Sequence, residues 1–160
     1  MNKGIRITPP VCLIISLAEL LCGRLRFPGN YLNSEIQGID GMTFRIFRDI
    51  RKNPIGEESG NCVFVVRFRF AHLSQRANRL ASVIPMLIIA GFPGFMEKIY
   101  AVNPDNGYWQ GMYQWKSTKH LEAYKKSFIY KMMNKRAIKG SIESVEFSNK
   151  SLNILINEDN

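Results

Sequence analysis

The most regular hydrophobic pattern in the chain is the alternation from Cys62 to Phe70. Successive side chains of a strand point to opposite sides of its sheet, so this period of two predicts a β-strand. Its apolar face would carry Phe64, Val66, Phe68 and Phe70, and its other face Val63, Val65, Arg67 and Arg69. The strand therefore has one apolar face and one face that becomes basic.

After this strand the apolar residues change to helical spacing, which continues as far as Ala90. Ser74 can cap such a helix, because a serine hydroxyl accepts a hydrogen bond from a free N–H of the first turn. Pro85 lies inside the pattern and must kink or shorten the helix. Gly91 is placed to end it.

A β-hairpin is predicted next. Two runs rich in aromatic and β-branched residues, 91–102 and 108–117, flank the segment Asn103-Pro-Asp-Asn-Gly107. Pro104 presets φ, and the Asn, Asp and Gly residues tolerate turn geometry. The segment therefore predicts the turn between two antiparallel strands.

A second helix and a last strand complete the pattern. Ser117 can cap a helix that continues to about Lys135. One face of this helix would carry Leu121, Tyr124, Phe128 and Met132. Gly140 closes the helix, the alternation over 142–147 predicts a strand, and residues 151–156 can add a short edge strand.

The predicted order from Cys62 to Phe147 is β-α-β-β-α-β. With right-handed crossovers this order gives an α+β, ferredoxin-like fold, an antiparallel sheet with both helices on one face. We place a domain boundary in the polar segment 53–61, which makes residues 1–60 an N-terminal extension and residues 61–160 the ferredoxin-like domain. In the extension, residues 27–31 and 39–42 are typical of turns, and residues 43–51 favour a strand.

The extension begins with an apolar run from Val11 to Cys22 that contains Glu19. The run is flanked by the basic residues Lys3, Arg6, Arg24 and Arg26. A helix that spans a bilayer needs about 20 apolar residues, so this run of 12 does not predict one. A short buried helix, an interfacial membrane anchor and a poorly ordered extension all agree with the pattern.

The chain is basic, with 22 Lys and Arg against 13 Asp and Glu and a net charge of +9. This excess of positive charge agrees with a solvated basic surface, or with binding to an anionic membrane or to nucleic acid. No RNP-like motif or Gly-rich nucleic-acid loop supports binding to nucleic acid. Three cysteines and two histidines without metal-site spacing predict no metal ion. The cysteines favour a reducing, cytoplasmic compartment, with membrane contact through residues 1–30 as an addition.

Several motifs resemble those of the antibiotic-biosynthesis-monooxygenase-like group of dimeric α/β-barrel proteins. They are Pro93-Gly94-Phe95, Lys98, Gly111-Met-Tyr-Gln-Trp115, Ser117 and Ala123-Tyr124. The resemblance covers roughly residues 63–147. It implies a homodimer with two sheets packed face to face, and a pocket for a small ligand between sheet and helices. It also implies oxidation of aromatic substrates without metal, flavin or another cofactor, although relatives degrade haem.

An aromatic pocket is the candidate binding site. Period two places Trp109, Gly111, Tyr113 and Trp115 on one strand face, where Gly111 leaves room for a flat ligand. The expected pocket residues are Phe68, Phe70, Trp109, Tyr113, Trp115 and Tyr124. Core packing alone would produce the same pattern. Arg67, on the other face, could bind an anionic ligand or form an ion pair.

His120, His72 and Lys98 are the candidates for proton transfer. His120 lies in the first turn of a helix, where the helix dipole disfavours imidazolium, so a neutral proton acceptor is expected there. His72 follows a strand end, where pocket residues often lie. Lys98 would share a face with Met96 and Tyr100 and could polarise a carbonyl or phenolate. Each of the three could also be a solvated surface residue.

Two functions remain open at this stage. The first is a small cofactor-independent monooxygenase-like enzyme that acts on an aromatic or polycyclic apolar substrate. The second is a non-catalytic dimeric protein that binds a ligand or associates with a membrane. An enclosed apolar cavity beside the aromatic strand face would favour the first.

Overall fold

The computed structural model describes residues 8–53 and 61–158. Its strands are β1 (Leu25–Arg26), β2 (Glu35–Gln37), β3 (Thr43–Lys52), β4 (Cys62–Arg69), β5 (Phe95–Val102), β6 (Tyr108–Trp115) and β7 (Glu143–Ser148). Its helices are α1 (Pro9–Leu21), α2 (Gln75–Ala81), α3 (Val83–Ala90), α4 (Thr118–Lys125), α5 (Phe128–Arg136) and α6 (Leu152–Glu158). Lys3, Arg6 and most of the proposed boundary segment 53–61 lie outside the described residues.

The second part of the chain has the predicted ferredoxin-like arrangement. Strands β4 to β7 are paired in the order β5-β6-β4-β7, and every pairing is antiparallel. Helices α2 and α3 connect β4 to β5, and α4 and α5 connect β6 to β7. Residues of α3, α4 and α5 belong to one core cluster on the same face of the sheet. The expected α+β fold and element order are confirmed.

The N-terminal segment adds strands to this same sheet. β3 confirms the strand expected over 43–51 and pairs with the outer edge of β5, while β1 and β2 pair with the two ends of β3. A β-bulge between Ile46 and Arg48 bends β3. The pairing covers the backbone N–H and C=O groups that β5 would otherwise expose at a sheet edge.

The hairpin between β5 and β6 is built as the sequence predicts. The Asn103 side-chain oxygen accepts hydrogen bonds from the backbone N–H groups of Asp105 at 2.9 Å and Asn106 at 3.0 Å. Gly107 has a φ of +75°, which glycine adopts without steric cost. The turn fixes a register in which Trp109 lies opposite Val102.

The first predicted helix is divided into α2 and α3 at Ser82. Its start is confirmed, because the Ser74 hydroxyl accepts a hydrogen bond from Ala77 N–H at 3.2 Å. Pro85 explains the division: it has no N–H to donate to the carbonyl of Ala81, and its ring would collide with that carbonyl in a continuous helix.

The second predicted helix is also divided, which the sequence analysis did not predict. α4 ends at Lys125 and α5 begins at Phe128. The Ser127 hydroxyl accepts a hydrogen bond from Tyr130 N–H at 3.3 Å. The expectation of one continuous helix from 117 to 135 is wrong, because Ser127 caps a new helix instead of continuing the first.

The edge strand expected over 151–156 is also wrong, because these residues enter α6. Leu152 and Ile156 are both buried, and they lie one helical turn apart. The Leu152 N–H donates to the Gln114 side-chain oxygen at 2.9 Å, which fixes the start of α6 on the sheet. A helical period therefore buries these apolar residues better than a strand period would.

The sheet is covered on both faces. The helix-side face, which carries Phe64, Phe68, Tyr100 and Trp109, packs against α3, α4 and α5. The second face carries Ile46, Val63, Ile99 and Met112, and Leu152 and Ile156 of α6 pack on it. The resemblance implies that a second copy covers this second face, whereas here residues of the same chain lie on it.

α1 packs against α3 at close range. Cys12 and Ser16 are buried, and a Cβ atom built on Gly91 would lie 1.9 Å from the carbonyl oxygen of Cys12. The apolar run therefore forms a helix that is buried on one side and exposed on its outer side, which is not the poorly ordered extension and leaves the interfacial anchor as a prediction. Within residues 8–53 and 61–158, the structure contains no helix with the length and apolar character that crossing a bilayer requires.

Replacing Gly91→Ala tests this close approach. The backbone of Gly91 is right-handed, with a φ of −80°, so alanine would be tolerated there if space allowed. We expect the clash with Cys12 to lower the free energy of unfolding by about 1–3 kcal/mol, measured by urea denaturation. In a chain that lacks residues 1–22 the same substitution should cost less than about 0.5 kcal/mol. Equal losses in both backgrounds would contradict the contact.

Candidate functional site

A cavity lies between the helix-side face of the sheet and helices α3 and α5. It is lined by Phe68, Phe70, Ser82, Pro85, Ile89, Lys98, Tyr100, Trp109, Gln110, Gly111, Tyr113, Ile129, Met132, Met133 and Arg136. The space open to the centres of water molecules is about 40 Å³. One ordered water needs roughly 10–15 Å³ by this measure, so the cavity has room for about three waters in its present shape.

The wall formed by β6 is aromatic. Trp109 and Tyr113 point to the helix-side face, with Gly111 between them. A Cβ atom on Gly111 would lie 2.9 Å from the Tyr113 ring, so the glycine makes room for that ring. Phe70 meets Trp109 edge-on with ring centroids 5.0 Å apart. These rings give the cavity flat, apolar surfaces against which another aromatic ring could pack.

Trp109 is fixed by a polar contact as well. Its indole N–H donates to the Gln75 side-chain oxygen at 2.8 Å, and Gln75 is the first residue of α2. This bond connects the sheet to the helix layer beside the cavity and satisfies the indole donor. Trp109 therefore presents its apolar ring to the cavity in a defined orientation.

Among the described residues, Lys98 is the one lysine that lines the cavity, and no acidic residue lines it. It lies opposite Tyr113 in the β5–β6 register, and 3% of its surface is exposed. Its Nζ atom lies 4.0 Å from the ring centroid of Tyr100 and 4.3 Å from that of Tyr113. Within the described part of the chain, no carboxylate forms an ion pair with it. The amine is therefore enclosed by aromatic rings instead of by a counter-ion.

One part of the expected environment of Lys98 is wrong. Lys98 and Tyr100 do share a face, but Met96 does not join them. The Met96 sulfur accepts from the Gln114 amide at 3.9 Å, and the Gln114 oxygen bonds the start of α6 on the second face. A β-bulge between Phe95 and Glu97 explains the change, because one extra residue reverses the alternation of the strand.

Two effects lower the pKa of Lys98 well below its ordinary value: burial, which removes water from the ammonium, and the positive charge of Arg48. The rings of Tyr100 and Tyr113 act in the opposite direction, by about 0.5–2 kcal/mol each, because their faces attract cations. Removing an ammonium from water costs several kcal/mol. The Lys98 ammonium therefore loses its proton more readily than that of an exposed lysine, which favours an amine that can accept a proton.

The tyrosine hydroxyls around Lys98 stay protonated. Burial raises the pKa of both Tyr100 and Tyr113 above the ordinary range. Tyr113 accepts a hydrogen bond from the Tyr124 hydroxyl at 3.3 Å, whereas the buried Tyr100 hydroxyl has no hydrogen-bond partner among the described residues. An unpaired buried hydroxyl costs about 1–3 kcal/mol, so a polar atom of a ligand would relieve that cost.

Two arginines near the cavity join its walls. Arg48 donates to the Ser82 hydroxyl at 2.8 Å and to the carbonyl of Arg79 at 3.1 Å. Arg136 donates to the Asn78 side-chain oxygen at 3.1 Å, and its guanidinium lies 4.9 Å from the Phe70 ring centroid. Sequence reasoning missed both, because nothing local connects β3 or the end of α5 to α2.

The helix wall of the cavity was also missed. It is formed by Pro85, Ile89, Ile129, Met132 and Met133. Helical periodicity could indicate that these residues face the core, but it could not indicate that space remains beside them. The two methionines are long and unbranched, which lets them change rotamer more readily than branched residues.

Five of the residues expected in the site line the cavity: Lys98, Phe68, Phe70, Trp109 and Tyr113. Trp115 and Tyr124 do not. They stack on each other with ring centroids 5.0 Å apart and are fully buried beside the cavity. Trp115 lies on the same strand face as Tyr113, as predicted. Helix α4 covers Trp115, whereas the cavity lies further along β6, where α3 and α5 leave a gap.

Arg67 lies on the second face, away from the cavity. Its guanidinium forms ion pairs with Asp40 and with Glu143, the latter at 2.6 Å, and lies 4.7 Å from the Tyr108 ring centroid. Only 8% of its side chain is exposed. Of the two roles considered for Arg67, the ion pair is the observed one.

Neither histidine lines the cavity. His72 is exposed after β4. The His120 ring lies against Gly94, and its Nδ1 is 2.9 Å from the Ser117 hydroxyl. It lines a separate surface depression with Phe92, Lys119 and Lys126. In the part of the chain that the structure describes, no three His, Cys, Asp or Glu side chains are grouped to hold a metal ion.

Comparisons with known proteins support the fold. No protein-family model matches the chain, and no curated protein matches it. Solved structures do match: the first is an anthrone oxidase-like protein, with 17% identity and a TM-score of 0.48. The chain spans 57% of the length of that protein, and the match covers 69% of the present chain.

Two matches cover most of both chains. A ferredoxin-fold protein related to antibiotic biosynthesis monooxygenases, from Listeria monocytogenes, has 12% identity and a TM-score of 0.54 over 85% of this chain and 88% of that one. A heme-degrading enzyme from the same organism has 15% identity and a TM-score of 0.51 over 84% and 92%. The resemblance inferred from the hairpin motifs is thus confirmed as a likeness of fold to monooxygenase-like proteins.

Lys98→Met should change how stability depends on pH. A lysine with a lowered folded-state pKa binds a proton on unfolding, so stability rises with pH between the folded-state pKa and the unfolded value near 10.4. We expect urea unfolding between pH 6 and 9 to show such a rise, of at most about 1.4 kcal/mol per pH unit. The variant should lose it and be more stable at pH 7, whereas the exposed-residue control Lys131→Met should keep it. An unchanged profile in Lys98→Met would contradict a lowered pKa of Lys98.

Proposed function

We propose that this protein is a cofactor-independent, monooxygenase-like enzyme that oxidises a hydroxylated aromatic substrate in the cavity. The observation that carries the proposal is Lys98, a buried amine between the rings of Tyr100 and Tyr113 without a carboxylate partner among the described residues. Amines in such surroundings are suited to general-base chemistry near neutral pH.

Binding would use the two kinds of surface that the cavity offers. Phe68 and Trp109 supply ring faces and edges for the apolar part of the substrate. The Tyr100 hydroxyl, which lacks a protein partner among the described residues, can donate a hydrogen bond to the substrate oxygen. These contacts would direct the substrate hydroxyl towards Lys98.

The reaction would begin with transfer of the substrate hydroxyl proton to the Lys98 amine. The resulting phenolate is electron-rich and can pass electrons to molecular oxygen, which forms a bond to a ring carbon. The peroxide takes the proton back from the Lys98 ammonium and loses water. For a hydroxynaphthalene, the substrate and one O₂ give a naphthoquinone and one water, so the substrate supplies all the electrons. Exclusion of water keeps the ammonium and phenolate together.

The size of the cavity restricts the substrate. Space for about three waters does not admit two fused rings unless side chains move. Met132 and Met133 form part of the wall and are the side chains best suited to move. We therefore propose a substrate of one or two rings, and a larger polycyclic one would require that α5 shift as well.

A non-catalytic ligand-binding protein is the second candidate function. Two observations favour this second function. The cavity is small, and both histidines lie outside it, so Lys98 has no second proton-transfer group beside it. The homodimer implied by the resemblance stays a prediction. Because α6 packs on the second face, a dimer would have to include this helix or use another surface.

Oxygen consumption with 1-hydroxynaphthalene and with anthrone tests the proposed reaction. We expect the protein to bind at least one of them, seen as quenching of tryptophan fluorescence, and to consume one O₂ per substrate. Lys98→Met should lower the rate at least about 100-fold and leave the dissociation constant within about threefold, because a general base acts on the chemical step. Lys131→Met, an exposed matched control, should leave both unchanged.

Three results of that experiment separate the candidates. Binding without oxygen uptake would favour the non-catalytic function. Full activity in Lys98→Met would exclude Lys98 as the base, and no binding of either compound would reject the proposed substrate class.

A further inference from the structure

The outer side of α1 is as apolar as the side that packs on the protein. Pro10, Ile14, Leu17 and Leu21 recur at the spacing of one helix face, which we term the α1 stripe. Ile14, Leu17 and Leu21 are 67%, 42% and 89% exposed. Cys12 and Ser16, on the opposite side, are the buried residues of the helix. A helix that is apolar all round is normally covered on all sides, yet α3 covers only one side of this one.

The stripe is held in place and is not a loosely attached segment. The Cys12 carbonyl approaches Gly91 so closely that no Cβ atom fits between them. Glu19, the single acidic residue of α1, forms an ion pair with Lys52 of β3 at 2.8 Å, and 22% of its side chain is exposed. The helix therefore turns its one negative charge towards the sheet edge and presents an outer face without acidic residues.

The charges around the stripe are positive. Arg24 and Arg26 follow α1 and are exposed. In the sequence, Lys3 and Arg6 precede it, and the whole chain carries +9. A second copy of this chain paired in parallel would bring the exposed Arg24 and Arg26 of both copies together, which is unfavourable. An anionic surface complements both the apolar stripe and the arginines that follow it.

We propose that the α1 stripe docks on an anionic lipid surface, with the helix lying in the plane of the membrane. α1 has 13 residues, so it is about 20 Å long, shorter than the roughly 30 Å hydrocarbon core of a bilayer. Ile14, Leu17 and Leu21 enter the boundary between headgroups and acyl chains, and the arginines contact lipid phosphates. This proposal does not depend on the oxidation chemistry.

Co-sedimentation of the full chain with vesicles tests the proposal. The vesicles are phosphatidylcholine alone, or phosphatidylcholine with about one-third phosphatidylglycerol. We expect binding to the anionic vesicles that weakens about tenfold or more between about 0.1 and 0.5 M NaCl and is at least about tenfold weaker for neutral vesicles. The double variant Ile14→Glu/Leu21→Glu should lose binding by at least about tenfold, because charged side chains do not enter the apolar boundary.

The matched control is Ile154→Glu on α6, which alters an exposed isoleucine on the other side of the sheet. It should bind vesicles as the unchanged chain does, and thermal unfolding should show that all variants remain folded. Equal binding by Ile14→Glu/Leu21→Glu, or no binding to anionic vesicles, would overturn the proposal. Light scattering provides one more test. If the unchanged chain and the control were dimers and only the double variant were a monomer, a second copy would cover the stripe and the proposal would be overturned.

Discussion

The burial of strands β4, β5 and β6 on both faces is the constraint on which the rest of the structure depends. Apart from Arg69 and Tyr108 at the strand ends, every side chain on these strands is buried and must pack against something. On the helix-side face aromatic rings meet this requirement, and on the second face apolar residues of the sheet and of α6 do. Polar residues on these strands therefore lie in the interior with restricted partners.

Lys98 and Arg67 show two outcomes of that constraint. Arg67 obtains two carboxylates, Asp40 and Glu143, and becomes part of the framework of the second face. Lys98 obtains only ring faces, and Arg48 adds a nearby positive charge, so the protonated form is disfavoured. A buried charge with carboxylate partners is compensated within the fold, whereas one left without a counter-ion beside a cavity is suited to chemistry. This contrast is the reason that we propose a function at Lys98.

The cavity itself depends on interruptions in the helix layer. Pro85 separates α2 from α3, and Ser127 separates α4 from α5, so four short helices cover the sheet in place of two long ones. Short helices leave space between their ends, and the methionines of α5 fill it incompletely. Helix α1 packs against the end of α3, and its apolar stripe faces away from the core. Helix α3 therefore contributes a wall to the proposed reaction site and supports the proposed membrane surface.

The sequence determined the order of elements from Cys62 to Phe147, because alternation, capping serines and turn residues act over a few neighbouring positions. It also placed Trp109, Tyr113, Phe68 and Phe70 on one face. Only the tertiary structure decided that Lys98 loses its water, that Arg67 finds acids within its own chain and that both histidines lie outside the cavity. Those outcomes depend on residues 20 or more positions away, such as Asp40 for Arg67 and Arg48 for Lys98, and no local period records which distant side chains will meet.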